Sequence, residues 1–291
     1  MNQPAIPATW TIRTLLGWST PWLGQRGIDS PRLDGELLLA RALGLRRIDL
    51  FMDPDRPLNP PELAAFKALI VRRAAREPVA HILGLREFWG MEFFSSAAAL
   101  IPRPETELLV ETVLVHVADR STPLEILEPC VGSGALLCAL LKEYPSATGV
   151  GSDLSAEALV VARRNVERCG YGARVTLLEG DLDGSVAEDR VFDVVVVNPP
   201  YIASGALQGL QPEVRDWEPR LALDGGVDGL ELLRRLPALF KRRMRPGGVA
   251  VTEIGYDQGE AVEALFRGAG FARVELLKDY QRLPRAVVVR D

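Results

Sequence analysis

The chain has 291 residues, of which 47% are hydrophobic and 25% charged, and it carries a net charge of −5. This length is too great for one small core and suits a large domain with a smaller companion, and the composition is that of a globular protein with a sizeable core rather than a disordered one. The acidic balance argues against a protein whose main task is to coat nucleic acid, the apolar runs are too short for a membrane span, and the opening MNQPAIPATW lacks a basic segment followed by a hydrophobic one. A cytoplasmic location is the resulting expectation. Cys130, Cys138 and Cys169 form neither a CxxC pair nor a disulfide framework, and with His81 and His116 as the only histidines no metal site is expected.

From about Thr9 to Gly84 the pattern is helical. Ser30-Pro31 and Asn59-Pro60 each place a capping side chain before a proline suited to the first helical turn. Leu33, Leu37, Ala40 and Gly44 share one face, and Leu63, Phe66, Ile70 and Ala74 share another, so residues 1–80 read as a small helical domain. Residues 81–103 lose this period and are rich in aromatics and glycine, which predicts a hairpin linking two domains. Phe88, Trp89, Phe93 and Phe94 there read first as hairpin and core packing residues, with covering a ligand as the second reading. Pro104 opens a further helix through Glu107, Leu108, Leu109 and Val113. The basic clusters Arg72, Arg73, Arg76 and Lys241, Arg242, Arg243, Arg245 read as solvated helix faces.

Beyond Pro123 short apolar runs alternate with helix-length segments. Residues 124–127, 147–152, 174–179, 192–197, 248–254, 274–277 and 286–289 give seven candidate strands, the pattern of an α/β domain over 104–291 with a mostly parallel sheet. Only eight residues separate the last two, too few for a crossover helix, so an antiparallel pairing is predicted there.

Ligands of such sheets gather at the carboxyl ends of the strands. The first strand ends in Glu128-Pro129-Cys130-Val131-Gly132-Ser133-Gly134, where small residues permit a tight turn and close approach to a ligand. The second ends at Asp153, placed to accept from two ribose hydroxyls, although it could also serve the helix that follows. The third ends near Asp181, which could accept from an adenine amine or simply shape a turn. Together they point to an adenosine-containing ligand, and the absence of GxxxxGK[ST] speaks against a phosphate grip.

The fourth strand, FDVVVV, stops on Asn198-Pro199-Pro200-Tyr201. Two prolines fix the backbone and remove two donors, which leaves the Asn198 side-chain oxygen and the Pro199 carbonyl as rigid acceptors beside the Tyr201 ring. Paired acceptors suit a substrate NH2 group. Holding both hydrogens restricts a conjugated nitrogen to a geometry in which its lone pair can meet an electrophile.

These residues resemble a Rossmann-like class I S-adenosylmethionine-dependent methyltransferase, and NPPY is similar to the motif of its amino-methylating members. More narrowly, the chain resembles the HemK-type peptide-chain release-factor glutamine N5-methyltransferase family. The likeness runs through SPRLDGELLLARALG from Ser30, REPVAHILGLREFWG from Arg76, LIPRPETELLVE from Leu100, NPPYI from Asn198, VRDWEPRLALDGGVDGL from Val214 and EIGYDQGEAV from Glu253. One departure is Cys130, where the common pattern has glycine; a modest adjustment of the loop is expected.

The resemblance implies that Glu128, Pro129, Cys130, Val131 and Gly132 line the methionine part of S-adenosyl-L-methionine, Asp153 holds the ribose, and Asp181 and Leu182 flank the adenine. It implies that Asn198 touches cofactor and substrate, and that Pro199, Pro200 and Tyr201 shape a glutamine pocket. The implied reaction is in-line methyl transfer to the side-chain nitrogen of the GGQ glutamine in class I peptide chain release factors, without a strong general base. A ribosomal-protein glutamine N5-methyltransferase or an adenine-N6 nucleic-acid methyltransferase are the alternatives; stable nucleic-acid binding and membrane association are not expected. Arg103 and Glu105 could help close the cofactor pocket or simply serve the charge of a helix start, and the segment 204–229, with Arg215, Trp217 and Glu218, could fold over a substrate; their roles are left open.

Overall fold

The computed structural model describes residues 9–290, so the opening residues read above for a leader lie largely outside it. The chain forms two compact units: one runs to Gly84 and also includes Pro212–Trp217, and the other comprises Leu85–Gln211 and Glu218 onward. Among the described residues no helix is long and apolar enough to cross a membrane.

The first unit contains α1 (Ile12–Gly24), α2 (Pro31–Leu43), α3 (Asp49–Met52), α4 (Pro60–Ala74) and α5 (Val79–Leu83). Asn59 caps α4 as expected, accepting from the Glu62 N–H while the Glu62 carboxylate reaches back to the Asn59 N–H. Ser30 precedes α2 without a side-chain cap bond, and Pro31 opens that helix by itself. The buried face of α2 is also rotated from the predicted one: Leu33 is 41% exposed, whereas Leu38 and Leu39 join Ile12, Leu23, Phe66 and Ile70 in the core. The rotation brings Asp34 inward to meet the buried Arg73 of α4 at 2.6 Å. Arg73 also binds Glu213 at 2.7 Å, and Arg76 binds the other oxygen of Glu213. The residues after NPPY therefore send a short strap back into the helical unit, from a position 140 residues away in sequence.

The second unit opens with the hairpin β1 (Leu85–Phe88) and β2 (Met91–Phe94); residues 79–83, read in part as the start of that hairpin, are helical. It continues through α6 (Glu107–His116), β3 (Glu125–Pro129), α7 (Ala135–Glu143), β4 (Thr148–Asp153), α8 (Ala156–Arg168), β5 (Val175–Glu179) and β6 (Phe192–Val197). After the strap helix α9 (Pro212–Arg215) come α10 (Leu236–Arg243), β7 (Met244–Glu253), α11 (Gly259–Gly268), β8 (Arg273–Lys278) and β9 (Pro284–Arg290). The seven strands order as β5-β4-β3-β6-β7-β9-β8, with β9 antiparallel to both neighbours and the rest parallel. The chain thus starts this sheet in its middle and winds outward in both directions, which opens a crevice at the carboxyl ends of β3 and β6. The apolar strands are buried on both faces, and Val194 to Val197 are fully enclosed.

The basic runs are only in part the solvated faces that their spacing suggested: Arg72, Lys241 and Arg242 are exposed, but one arginine of each run turns inward. Arg243 is 3% exposed and Arg73 is buried, each against acids distant in sequence, while Arg242 pairs with Asp183 and Arg245 with Asp193 and Glu125.

Candidate active site

The loop after β3 turns through three left-handed residues, Cys130 (φ 58°), Gly132 (φ 51°) and Gly134 (φ 76°), before α7 begins. At Cys130 this conformation sets a side chain against its own carbonyl, a cost of about 1–2 kcal/mol that glycine would not bear. Cys130 thus occupies a left-handed position of the kind glycine favours. Cys130→Gly should leave stability equal or higher by up to about 1 kcal/mol, glycine's looser unfolded state offsetting part of the relief, whereas Cys130→Val should lower it. Urea unfolding of the three proteins gives the order, and a valine variant as stable as the parent would contradict it.

Two carboxylates hold this loop. Glu128, buried at the end of β3, accepts from the Leu137 N–H at 2.8 Å and so caps α7 from outside its sequence; burial pushes its pKa well up. Asp153, at the end of β4, accepts from the Gly132 N–H at 2.8 Å and the Ser155 N–H at 2.9 Å. Burial raises its pKa against these bonds. Ser155, not Asp153, caps α8 by accepting from the Ala158 N–H. Asp181 lies beyond β5 and binds Arg235 at 2.8 Å, and Leu182 is, with Cys130, a left-handed residue of the cleft that is not glycine (φ 52°); its carbonyl accepts from the Ser152 hydroxyl.

One cleft gathers most of the predicted residues: Glu128, Cys130, Val131, Gly132, Asp153, Asp181, Leu182, Asn198 and Pro200 all line it. Pro129 does not, because alternate residues of a strand point to opposite faces and Glu128 takes the cleft side. Pro199 and Tyr201 also lie outside the lining: Pro199 is buried, and the Tyr201 hydroxyl turns inward to Glu253 at 2.9 Å. The remaining walls are mainly apolar, with Phe88, Leu100, Leu136, Leu154 and Leu221 among them. Among the described lining residues Arg103 is the one cationic side chain, and it is paired with Glu218 at 2.5 Å. Three carboxylates, an apolar wall and a glycine-rich turn fit a cationic adenosine derivative; a phosphate-bearing ligand would meet acids instead of donors.

Thr106, Glu253 and Gln258 contribute without having been picked out individually in the sequence, whereas Glu218 and the segment 204–229 were noted there without an assigned role. Thr106, inside IPRPETE, accepts from the Asn198 Nδ2 at 3.2 Å and donates to Glu253 Oε2 at 2.6 Å. Glu253, 1% exposed at the end of β7, is pushed up in pKa by burial, with the bonds from Thr106 and Tyr201 opposing the rise. Gln258 accepts from the Gly255 N–H and donates to the Tyr201 carbonyl at 2.9 Å. Glu218 accepts from the Ile101 N–H and from Arg103, which ties the IPRPETE run to the chain after NPPY. The stretch 223–226 also returns against NPPY: Ile202 donates to the Leu223 carbonyl, and Gly225 donates to that of Ile202. A Cβ at Gly225 would stand 2.8 Å from the Tyr201 Cα, so only glycine fits. IPRPETE and EIGYDQGEAV were visible as motifs, but nothing local linked them.

Family models match the chain twice, one described as PrmC N-terminal domain over residues 14–84 and one as Methyltransferase domain over residues 126–215. The chain is 44% identical over 281 residues to the release factor glutamine methyltransferase of Geobacter sulfurreducens, covering 97% of each protein. It is 44% identical over 266 residues to that of Caulobacter vibrioides, covering 91% of each. Among solved structures, the T. Thermophilus 16S rRNA N2 G1207 methyltransferase in complex with AdoMet and guanosine aligns with a TM-score of 0.51 at 19% identity, over 71% of this chain and 49% of that one. That likeness concerns the fold alone.

Proposed function

The chain belongs to the release factor glutamine methyltransferase family, and we propose that it methylates the side-chain amide nitrogen of the GGQ glutamine in class I peptide chain release factors, using S-adenosylmethionine. The observation that carries this reading is the convergence of Asn198, at the end of β6, with the β3 loop and Asp153 in one cleft. Glu128, Cys130, Val131 and Gly132 would hold the methionine portion of the cofactor, Asp153 the ribose, and Asp181 with Leu182 the adenine. When bound, S-adenosylmethionine supplies an electrophilic methyl group on a sulfonium.

The protein's own part is positional. The Asn198 Oδ1 and the Pro199 carbonyl accept the two hydrogens of the glutamine NH2, which orients the nitrogen lone pair and replaces water as its hydrogen-bonding partner. Pro199 and Pro200 stiffen the backbone that carries the Pro199 carbonyl and sets where the Asn198 side chain begins, because neither can rotate about φ or donate an N–H. No strong base is required, because an alkylated amide nitrogen is acidic enough to release its proton to water. Arg73, Arg76, Arg242, Arg243 and Arg245 are each paired with acids, which reduces the positive charge these clusters offer to a phosphate backbone and favours a protein substrate over a nucleic acid.

A competition assay tests the proposal: a bacterial class I release factor, total ribosomal protein and DNA are mixed with the enzyme and methyl-labelled S-adenosylmethionine. Label is expected on the release factor; label on ribosomal protein or DNA alone would overturn the substrate assignment.

A further inference from the structure

An asparagine amide is two-sided: its oxygen accepts and its nitrogen donates. In one orientation Asn198 offers a substrate NH2 the acceptor it requires. Flipped by half a turn, it would set donor against donor. The NPP backbone fixes where the side chain begins but not which way its amide faces, and that choice is made by what lies behind it.

Behind it is a buried polar chain. Glu253 has acceptors on both carboxylate oxygens, and both are engaged: Oε1 by the Tyr201 hydroxyl at 2.9 Å and Oε2 by the Thr106 hydroxyl at 2.6 Å. Thr106 has one hydroxyl proton, and Glu253 takes it. What Thr106 can offer Asn198 is therefore a lone pair, so the amide atom 3.2 Å away must be the donor Nδ2. The oxygen is left for the cleft. Gln258 steadies the far end by donating to the Tyr201 carbonyl at 2.9 Å and to the Gly229 carbonyl at 3.2 Å. Every proton along Tyr201–Glu253–Thr106–Asn198 runs in a direction fixed by the carboxylate, which has none to give.

We infer that Thr106 and Glu253 are positioning residues for methyl transfer, setting the direction of a buried hydrogen-bond chain that locks the Asn198 amide with its oxygen toward the substrate nitrogen. The inference rests on the proposed glutamine methylation at this site and adds the device that orients its acceptor. Neither residue needs to touch the substrate. Removing the hydroxyl frees Asn198 to turn, and replacing the carboxylate by an amide adds a donor that can reverse the chain.

The test is steady-state kinetics of Thr106→Val, Thr106→Ser and Glu253→Gln on a class I release factor, with cofactor affinity by calorimetry and thermal melting as companions. Thr106→Val and Glu253→Gln should each lower kcat by about 10- to 100-fold, the cost of a misplaced reacting group, with KM for the release factor and Kd for S-adenosylmethionine nearly unchanged. Thr106→Ser keeps the hydroxyl and should recover most of the loss. Valine and glutamine variants with parental kcat would overturn the inference. So would a loss shared equally among kcat, cofactor affinity and melting temperature that serine does not repair, since that is a packing defect. If a variant melts below the assay temperature, the other variant carries the comparison, because each breaks a different link. Absence of turnover in the parent would instead remove the functional reading on which the inference stands.

Discussion

Asn198→Ala is expected to lower methyl transfer to a release factor by about 10²- to 10³-fold, the loss typical of deleting one preorganised polar group at a reacting centre. The amide nitrogen of glutamine is a weak nucleophile because its lone pair is shared with the carbonyl. Asn198 and the Pro199 carbonyl matter most when the two hydrogens must be held and the lone pair exposed, which is nearer the transition state than the bound substrate. Binding of S-adenosylmethionine should weaken by no more than about tenfold, the worth of one ordinary hydrogen bond. Stopped-flow or single-turnover rates beside calorimetric affinities separate the two. Equal losses in rate and cofactor affinity would assign Asn198 to cofactor binding instead.

The second large effect is on stability. The Arg243 guanidinium is buried, binds Asp183 at 2.6 Å and donates to the carbonyls of Ala187 at 2.6 Å, Arg190 at 3.0 Å and Val186 at 3.0 Å. Four backbone and side-chain acceptors of the 183–190 loop are thus organised around one cation, next to Leu182 on the cleft wall. Arg243→Ala leaves the buried Asp183 carboxylate with the half-exposed Arg242 alone and several buried carbonyls without a donor, which should cost about 2–4 kcal/mol. Its neighbour Arg242 also binds Asp183, but its side chain is half exposed, and Arg242→Ala should cost less than about 1 kcal/mol. Urea denaturation of both variants measures the difference; similar midpoints for the two would contradict the role given to Arg243. Weakened cofactor binding should accompany Arg243→Ala, since the loop it orders includes the wall beside Leu182.

Local pattern reached the architecture because the strands are buried on both faces and show as uninterrupted apolar runs, as at Val194 to Val197. The antiparallel edge was legible from the short connection between β8 and β9, and the observed pairing runs from Arg273 with Arg290 to Lys278 with Pro284. β7 begins at Met244, earlier than its apolar run, because pairing with Phe192 extends it through Arg245-Pro246-Gly247 and a register shift between Phe192 and Val194 absorbs the extra length. The rotated face of α2 and the basic runs escaped for a common reason. Asp34 and Arg73 look like surface residues in their own helices, and they become interior only because they find each other and Glu213 across long separations. The strap Pro212–Trp217 belongs to the helical unit through the same ion pairs, and no local composition announces it.

The candidate site divides along the same line. Asp153, Asn198 and the turn after β3 were legible because each ends a strand and carries its chemistry in adjacent residues. Tyr201 was read as part of the substrate pocket from its position, whereas its hydroxyl is bound to Glu253, 52 residues onward. Thr106 and Glu253 are separated by 147 residues, and only the folded sheet brings the run after the hairpin beside the end of β7.

The central claim is methyl transfer to one glutamine, and mass spectrometry of a bacterial class I release factor after incubation with the enzyme and S-adenosylmethionine tests it most directly. The account predicts one added methyl group, mapped to the GGQ glutamine and nearly absent when Asn198→Ala replaces the parent enzyme. An unmodified GGQ peptide, or the same methylation with Asn198→Ala at the parental rate, would contradict it.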